Sequence, residues 1–307
     1  MNMLSDQSPR VPLLREVQQH FQAGAASGDD MTTLLPWLTM IRRRAPTAVG
    51  RGMLQPSMCL IVQGEKEMLV GEQVLRYGAG HYVQAGVAMP VSGRIVHATA
   101  AEPYYGLRVD LDPKEIAAFM LDMQLPHPPD RGDMPIVSVE PAGDDLIDAF
   151  LRLIRLLDRP TDLPVLGRLL KQEIVYRLVT APGGASLVRA LMGGQRGHAV
   201  SRAISWIRTH YDEPLRIAEL AETVHLSPSV LHRRFKAATV MSPLQYQKQV
   251  RLLEARRLLM SGGQEAATVA YQVGYESPSQ FSREYRRLFG ATPLQDAQQL
   301  RGHVPEP

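Results

Sequence analysis

The sequence predicts an α+β protein of more than one domain, in which a β-rich part is followed by a helical hairpin and then by an all-α part. Three observations support this fold class. Short β-type runs follow one another from about residue 38, helical periodicity takes over at Pro113, and the last third of the chain repeats a pair of short helices. The 307 residues are enough for about two domains of roughly 150 residues each.

Composition excludes several classes of protein. The single cysteine, Cys59, excludes an internal disulfide framework and a multi-cysteine zinc site. Asp6 and Pro9 interrupt the N-terminus where a signal peptide needs an apolar core, and no run approaches the ~18 apolar residues of a membrane span. We therefore expect a soluble, cytoplasmic protein that has no membrane contact.

Charge is divided unevenly along the chain. The residues up to 195 contain 19 basic and 21 acidic side chains, whereas the remaining residues contain 15 basic and 10 acidic side chains. A basic C-terminal third is typical of a contact to a phosphate backbone. A solvated basic face would give the same imbalance, so charge alone leaves both interpretations open.

The first elements are a helix and a series of strands. An amphipathic stretch over 11–21 predicts a helix within an N-terminal arm of residues 1–35, and the run AGAASGDD from Ala23 predicts a linker or turn. The strands occupy residues 36–112, where intervals of about 8 to 12 residues indicate a small antiparallel barrel or sandwich. Their runs are LTMI at 38, MCLIVQG at 58, EMLVG at 67, QVLRYGAGHYV at 73, SGRIVHA at 92 and YYGLRVDL at 104.

Helical periodicity over 113–182 predicts a helical linker or dimerisation region, with a hairpin formed by 144–159 and 162–180. An apolar stripe of helical spacing follows the first helix of the hairpin. Its members are Leu146, Ala149, Phe150, Leu153 and Leu157. Such a stripe is usually core, and a dimer interface is the alternative. Clustered glycines over 183–198 predict an interdomain linker.

A sequence repeat dominates residues 199–300. The segment LAETVHLSPSVLHRRFK starts at Leu220 and VAYQVGYESPSQFSREYR starts at Val269, and the two align at an offset of 49 that becomes 50 after one extra residue. Each copy is an apolar helix, a turn and a second helix, which a serine N-cap and a proline at the first helical position introduce. The pattern predicts two helix-turn-helix units, at about 217–237 and 266–288.

The second helix of each unit presents a polar face that suits DNA. Leu231 and Phe235 are expected to point inward in the first unit, as are Phe281, Tyr285 and Leu288 in the second. The outward groups are guanidinium, imidazole, amide and hydroxyl groups, which read base edges in the major groove, together with basic groups for phosphates. A solvated face without a DNA role is the alternative.

Acidic residues distinguish the two faces. The second helix of the first unit has no carboxylate. The second helix of the second unit contains Glu284, which we expect to face away from DNA. We therefore expect the first unit to supply the larger share of the affinity.

A continuous helix is predicted between the two units. The segment MSPLQYQKQVRLLEARRLLM, residues 241–260, opens with another Ser-Pro start and carries Leu252, Ala255 and Leu259 on one side. A rigid connector can hold two recognition helices about one DNA turn apart, ~34 Å, so that they enter successive major grooves.

The ordered motifs LSPSVLHRRFK, MSPLQYQKQVRLLEARRLL and VAYQVGYESPSQFSREYRRLFGATP resemble the DNA-binding domain of the AraC/XylS family of bacterial transcription regulators. The segments PSMCLIVQGEKEMLVG, RYGAGHYV and LRVDLDP resemble the N-terminal part of one AraC subfamily. The resemblance implies a cupin-like β-barrel that senses a small molecule or stress signal or mediates dimerisation. It also implies a regulator and not an enzyme, with promoter DNA, RNA polymerase and a second copy of the chain as partners.

The resemblance also assigns the contacts to DNA. In the family, base contacts come from early positions of each second helix, which here are Ser229, His232, Arg233, Ser279, Gln280 and Arg283. Phosphate contacts are expected from the remaining basic residues, which are Arg234, Lys236, Arg286 and Arg287. His225 departs from the glycine that the family commonly has in the turn. We expect a modest stability cost there, because histidine tolerates a left-handed backbone better than most residues.

The β-rich part lacks the metal site of the cupin enzymes. That site needs a close HxH pair, a carboxylate and a further histidine, whereas His81 and His97 are sixteen residues apart. We therefore expect no metal, no cofactor and no catalytic residue.

An effector pocket is expected inside the barrel, because a barrel interior with a few polar groups is a usual small-molecule site. Its lining is expected among Cys59, Met68, His81, Tyr82, His97, Tyr105 and Arg108. Cys59 itself is expected to be a buried, inert thiol, since a reactive thiol needs exposure and a lowered pKa, for which Lys66 is the nearest cation in sequence.

Two other functions compete with a signal-controlled regulator. One is a constitutive DNA binder whose N-terminal domain only dimerises. The other is a cupin enzyme fused to a DNA-binding module, against which the missing metal cluster argues.

Overall fold

The computed structural model describes residues 9–23, 30–125, 135–191 and 199–301. These residues form two compact units that divide the chain near residue 198, except that the strand residues Arg51–Met53 group with the second unit. The part before residue 198 contains two sheets and several helices, and the part after it is helical. The predicted α+β fold class is thus confirmed. No helix in the described ranges is long and apolar enough to cross a bilayer.

The described residues before 192 form ten strands, five α-helices and a π-helical turn. In chain order these are α1 Arg10–Ala23, β1 Asp30–Thr32, β2 Leu38–Arg43, β3 Gly50–Leu54, β4 Ser57–Gln63, β5 Glu65–Val70, β6 Gln73–Gly78, β7 His81–Ala85, β8 Met89–His97, β9 Tyr104–Asp110, α2 Pro113–Asp122, β10 Val137–Pro141, α3 Asp144–Leu156, the π-helical turn Leu163–Gly167, α4 Arg168–Thr180 and α5 Gly184–Leu191.

The strands form two antiparallel sheets. The first sheet has the order β1-β2-β9-β4-β7-β10, and the second has the order β3-β8-β5-β6. In the first sheet Leu38 of β2 lies opposite Val109 of β9, and Cys59 of β4 lies opposite Arg108. Short β-runs separated by turns produce this antiparallel arrangement because hairpins need only a few connecting residues.

The two faces of the first sheet have different neighbours, because side chains alternate along a strand. Tyr105, Leu107 and Val109 of β9 belong to a large core with residues of the helices, including Phe150 of α3 and Ile174 of α4. Tyr104, Gly106 and Arg108 alternate with these residues and therefore lie on the opposite face of the same strand.

Three strands were not predicted from the sequence, and one run that was predicted as a single strand forms two strands. β1, β3 and β10 are short and have no clear alternation of buried and exposed residues, which is the signal that reveals a strand. The run at 73 is divided into β6 and β7, because Gly80 adopts a φ of 82° that a continuous strand does not allow.

The region predicted as an interdomain linker is partly a helix. Over 184–191 the chain forms α5, whose Leu187, Val188 and Leu191 are buried in the same core as α3 and α4. Its glycines favoured the linker interpretation, yet Gly184 is in a tight packing position where a Cβ would lie 2.2 Å from the Val179 carbonyl oxygen. Residues 192–198 of that prediction, and 24–29 of the predicted N-terminal linker, lie outside the described residues.

The helical hairpin is present, with one irregularity. The predicted stripe on α3 is core, since Leu146, Ala149, Phe150 and Leu153 are at most 5% exposed and Leu157 packs against them. The second predicted helix begins instead as the π-helical turn that contains Pro164, and continues as α4.

The described residues 199–301 form the seven helices of the second unit. They are α6 Ala199–Thr209, α7 Ile217–Thr223, α8 Pro228–Thr239, α9 Pro243–Ser261, α10 Ala266–Gln272, α11 Pro278–Phe289 and α12 Pro293–Arg301. The pairs α7–α8 and α10–α11 are the two predicted helix-turn-helix units, and α9 is the predicted continuous connector. Leu252, Ala255 and Leu259 of α9 are all buried, as their spacing predicts.

Candidate nucleic-acid interface

Serine caps begin both second helices and the connector. The hydroxyls of Ser227 and Ser277 accept from the backbone N–H of Val230 and Gln280, each at 3.4 Å. Ser242 forms a reciprocal capping box with Gln245. A proline follows each of the three serines at the first helical position, where its missing N–H costs nothing. The predicted N-terminal signals are confirmed.

Buried aromatic residues hold each second helix against its unit. Leu231 and Phe235 of α8, and Phe281 and Tyr285 of α11, are fully buried. The Phe235 and Tyr246 rings pack edge to face at 5.7 Å, which joins α8 to α9. Because these residues fill one side of each helix, the residues between them face outward.

The outward face of α8 is basic. Ser229, His232, Arg233 and Lys236 are exposed, and none of them has an ion pair or side-chain partner on another element within the described ranges. Arg234 differs, because it is half-buried and interacts with the protein. The free groups include a guanidinium that can donate to two acceptors at once and an ammonium that suits a phosphate.

The outward face of α11 is also basic. Ser279, Gln280, Arg283, Arg286 and Arg287 are exposed, and within the described part of the chain the three arginines make no ion pair.

Glu284 is the one acidic side chain of α11, and its charge is compensated. One carboxylate oxygen lies 2.7 Å from the Lys248 ammonium, and the other accepts from the Tyr275 hydroxyl at 2.8 Å. Partial burial acts to raise the pKa of Glu284, but the hydrogen bonds from Lys248 and Tyr275 outweigh burial and lower it. The structure therefore turns the Glu284 carboxylate toward α9 and the turn of the second unit.

An arginine from the preceding helix holds the turn of each unit. Arg251 of α9 donates to the carbonyl oxygens of Tyr211, Glu213 and Gly274 at 2.5, 2.8 and 2.7 Å. Arg202 of α6 occupies the matching position and donates to the Val224 carbonyl oxygen at 2.8 Å. The internal repeat therefore includes the helix before each unit, which sequence comparison of the motifs alone missed.

The turns of the two units share a left-handed residue. His225 has a φ of 59° and Gly274 a φ of 85°. The expected left-handed backbone at His225 is thus confirmed. At Gly274 an added Cβ would lie 2.1 Å from the Asp212 carbonyl oxygen, so only the second turn requires glycine for space as well as for φ.

The seven candidate effector residues of the first unit lie in different environments. Cys59 and Met68 are buried, whereas His81 and His97 are exposed at strand ends. Tyr82 and Tyr105 lie in the core that contains the helices. The Arg108 guanidinium pairs with Asp110 at 2.8 Å and is 40% exposed. The structure therefore does not bring the seven residues to one cavity.

Two tyrosines that sequence reasoning did not select lie near Cys59. Tyr77 and Tyr104 are at most 4% exposed, and neither hydroxyl has a hydrogen-bond partner among the described residues. Burial raises the pKa of both phenols, and their proximity to the Cys59 thiol raises it further. Burial likewise raises the pKa of Cys59, and Lys66 and Arg108 offset this only in part, as an inert thiol requires. The alternation along β9 could have pointed to Tyr104, which shares a face with Arg108.

Among the described residues, no three histidine, cysteine or carboxylate side chains are grouped closely enough to hold a metal ion.

Two protein-family models match the chain. The AraC-type transcriptional regulator N-terminus matches residues 34–186, and a helix-turn-helix domain matches residues 220–299. Together they cover most of both units. The first model describes the N-terminal part of transcriptional regulators and the second a helix-turn-helix domain, so the interpretation of the chain as an enzyme fused to a DNA-binding module is withdrawn.

Curated relatives match a third to a half of the chain. The transcriptional activator RhaS of Pectobacterium carotovorum is 32% identical over 100 residues, which are 33% of this chain and 36% of RhaS. The transcriptional regulator ArgR of Pseudomonas aeruginosa is 29% identical over 150 residues, which are 49% of this chain and 46% of ArgR. The chain thus spans about a third to a half of the length of these relatives.

The fold resembles that of ToxT from Vibrio cholerae, whose structure was solved with an unsaturated fatty acid bound. The TM-score is 0.55, and the match covers 88% of this chain and 96% of ToxT. Because the sequence identity is 12%, this likeness concerns the fold alone.

Proposed function

Because the chain belongs to the AraC/XylS family of bacterial transcription regulators, we propose that its two helix-turn-helix units read one promoter site across two successive major grooves. The chain is a DNA-binding regulator with an N-terminal regulatory domain. The observation that carries the proposal is the pair of exposed basic faces on α8 and α11, which stand on one helical unit and have no acidic partner for their outward arginines Arg233 and Arg283.

In this proposal each face contacts both the bases in the groove and the phosphates at its edge. The early positions of each second helix contact bases, and these are Ser229, His232, Arg233, Ser279, Gln280 and Arg283. The later basic residues contact phosphates, and these are Arg234, Lys236, Arg286 and Arg287. Exposure of the first set and its donor and acceptor chemistry support the assignment.

The test is selection of DNA sites from a random library by the full chain, followed by genomic footprinting with and without candidate small molecules. We expect a site with two short recognised segments about one helical turn apart. Selection of a single segment, or of none, would contradict the proposed pair of readers.

We further propose that the first unit controls DNA binding in response to a small molecule or stress signal. In this proposal residues 36–112 sense the signal, and residues 199–300 bind DNA. The two buried hydroxyls of Tyr77 and Tyr104, which lack a partner among the described residues, support a polar site between the two sheets of a cupin-like barrel. The alternative is a constitutive DNA binder, for which footprints would not change with any added compound.

Dimerisation through residues 113–182 completes the proposal. The side chains of Val165, Leu166, Leu169 and Tyr176 are each more than 40% exposed on the π-helical turn and α4. Leu166 and Leu169 line a groove of about 460 Å³, and the ion pair of Arg152 with Glu173 lies beside them. Such an apolar surface with charges at its edge suits a second copy of the chain. RhaS is an activator, which favours RNA polymerase as a further partner here.

A further inference from the structure

Glu284 is the centre of a polar network that links α9, the turn of the second unit and α11. Besides its contacts to Lys248 and Tyr275, Glu284 accepts a long hydrogen bond of 3.5 Å from the side-chain nitrogen of Gln280. Gln280 is exposed one helical turn earlier on the same face, among the early positions of α11. Through Glu284, the network therefore connects the hydroxyl of the buried Tyr275 to the exposed amide of Gln280.

The first unit has no equivalent of this network. The four positions that match Lys248, Tyr275, Gln280 and Glu284 in the repeat are Ala199, Leu226, Val230 and Arg234. The first unit nevertheless forms the same pair of helices with the same capped start. A helix-turn-helix unit of this kind thus does not need the network in order to fold, which points to a role in recognition.

The chemistry of the network determines which edge of Gln280 faces outward. An ionised carboxylate only accepts hydrogen bonds, so Gln280 must turn its nitrogen toward Glu284. The carbonyl oxygen and the second N–H of the amide then remain free at the surface. Adenine offers the complement in the major groove, since its N6 amino group donates and its N7 accepts.

We propose that Glu284 is a positioning residue for base recognition, which holds the Gln280 amide in the orientation that reads adenine. The inference rests on the proposed function, because it needs α11 to lie in the major groove. Lys248 has a separate role in it: it neutralises the Glu284 carboxylate, which would otherwise repel phosphates.

The test compares sites that the full chain and its Glu284→Gln variant select from a random DNA library. The glutamine side chain can donate as well as accept, so it no longer determines the orientation of Gln280. We expect adenine preference at one position of the second recognised segment to fall about tenfold, a change within the range of one bidentate contact, while other positions keep their preference. Gln280→Ala should lose the same preference, and adding Glu284→Gln to it should change nothing more.

Lys248→Met is the control for charge: it removes the ion pair to the Glu284 oxygen that also accepts from Gln280, but it leaves the carboxylate in place as the acceptor for the Gln280 nitrogen. We expect weaker binding to all sequences with the adenine preference retained. Glu284→Asp keeps the charge but shortens the side chain, so it should lose the preference even if Glu284→Gln unfolds.

Three results would overturn the inference: wild-type preference in folded Glu284→Gln and Glu284→Asp, an equal loss at every position, or a base other than adenine at the position that Gln280→Ala affects. If the wild-type chain selects no site at all, the proposed function itself fails.

Discussion

Arg233 and Arg283 occupy matching positions fifty residues apart, and both are exposed with no ion pair to the described residues. A guanidinium that the protein leaves unpaired loses little on transfer to a guanine edge, because no existing salt bridge must first break. Lys236 is equally exposed but carries a point charge, which neutralises a phosphate without distinguishing bases.

Replacing either arginine by alanine should relax base preference. We expect Arg233→Ala and Arg283→Ala each to weaken specific binding by about 1 to 3 kcal/mol, with the loss confined to one base position. Quantitative binding to the selected site and to its single-base variants measures this. Arg257→Ala, on the connector and outside both second helices, is the control and should not alter preference. Unchanged selectivity in both test variants would refute the readout assignment.

The same pair of variants compares the two units. The first unit is expected to supply more affinity, so Arg233→Ala should be the costlier change. The ion pair of Glu284 with Lys248 makes the expected difference between the two affinity losses smaller, because no unpaired carboxylate on the second face repels the DNA phosphates.

Lys236→Ala should weaken binding to all sequences alike. Loss of one phosphate contact should reduce the slope of log affinity against log salt by about 1. Titration at several salt concentrations with specific and random DNA measures this slope. A loss limited to the specific site would assign Lys236 to base recognition instead.

The turn residues test the stability of the same units. His225→Gly should raise the free energy of unfolding by up to about 1 kcal/mol, because glycine removes the steric penalty of the left-handed backbone while adding some unfolded-state entropy. Gly274→Ala should destabilise the chain strongly, since its Cβ has no space beside Asp212. Chemical denaturation of the full chain measures both. A His225→Gly variant less stable than wild type would show that the imidazole contributes more than the strain costs.

At the scale of elements, each helix-turn-helix unit depends on the helix before it and the helix after it. Arg202 of α6 and Arg251 of α9 each donate a hydrogen bond to the turn of the unit that follows their helix. Behind the second unit, Asp296 of α12 accepts from the Tyr285 hydroxyl at 2.7 Å and pairs with Arg256 of α9 at 2.7 Å. Thr292 and Gln295 repeat the capping arrangement of Ser242 and Gln245. The repeated structure is therefore longer than the motif that reveals it in sequence.

The two arginines should differ in their contribution to stability. Arg251→Met removes hydrogen bonds to three carbonyl oxygens, of which that of Glu213 still accepts from Gln247, and we expect a loss of about 2 to 4 kcal/mol in the free energy of unfolding. Arg202→Met removes the hydrogen bond to the Val224 carbonyl oxygen and should cost about 1 kcal/mol. Chemical denaturation monitored by circular dichroism compares them. Equal losses would mean that the packing of the aliphatic part of each arginine side chain, and not the number of its hydrogen bonds, determines the loss in the free energy of unfolding.

At the scale of the whole molecule, the question is how many copies bind one promoter. The exposed apolar side chains of the π-helical turn and α4 are the part of the first unit on which a dimer is proposed. This surface lies on the outside of the hairpin whose inner stripe is core. The apolar stripe of α3, for which both core and dimer interface were possible from the sequence, is therefore part of the core. The exposed apolar side chains of the π-helical turn and α4 remain available for association.

Leu169→Asp should weaken the proposed dimer. Leu169 is 52% exposed, so a carboxylate there costs little in the monomer but would be desolvated in an interface. Light scattering after size exclusion should show a shift toward the monomer at micromolar concentration. Leu294→Asp, at a 59% exposed leucine on α12 and outside residues 113–182, is the matched control and should leave the mass unchanged. An equal effect of both variants would remove the surface from consideration.

The amino-acid sequence was enough to predict the fold class, the two helix-turn-helix units, their caps and their inward and outward faces. Those features follow from local periodicity, from Ser-Pro starts and from a repeat, which are all properties of neighbouring residues. The outward positions of Arg233 and Gln280 could be identified in this way because helical geometry places them relative to Phe235 and Phe281 without reference to the rest of the chain.

Packing in the folded chain determined the features that join residues distant in sequence. It turned the glycine-rich segment at 184 into a buried helix, separated Tyr82 and Tyr105 from Cys59, and joined Glu284 to Lys248 and Tyr275. Strand alternation identifies two faces but not which face meets a helix, and a carboxylate's role depends on the cations that other helices bring to it. Both depend on packing between elements, to which local sequence patterns contain no direct signal.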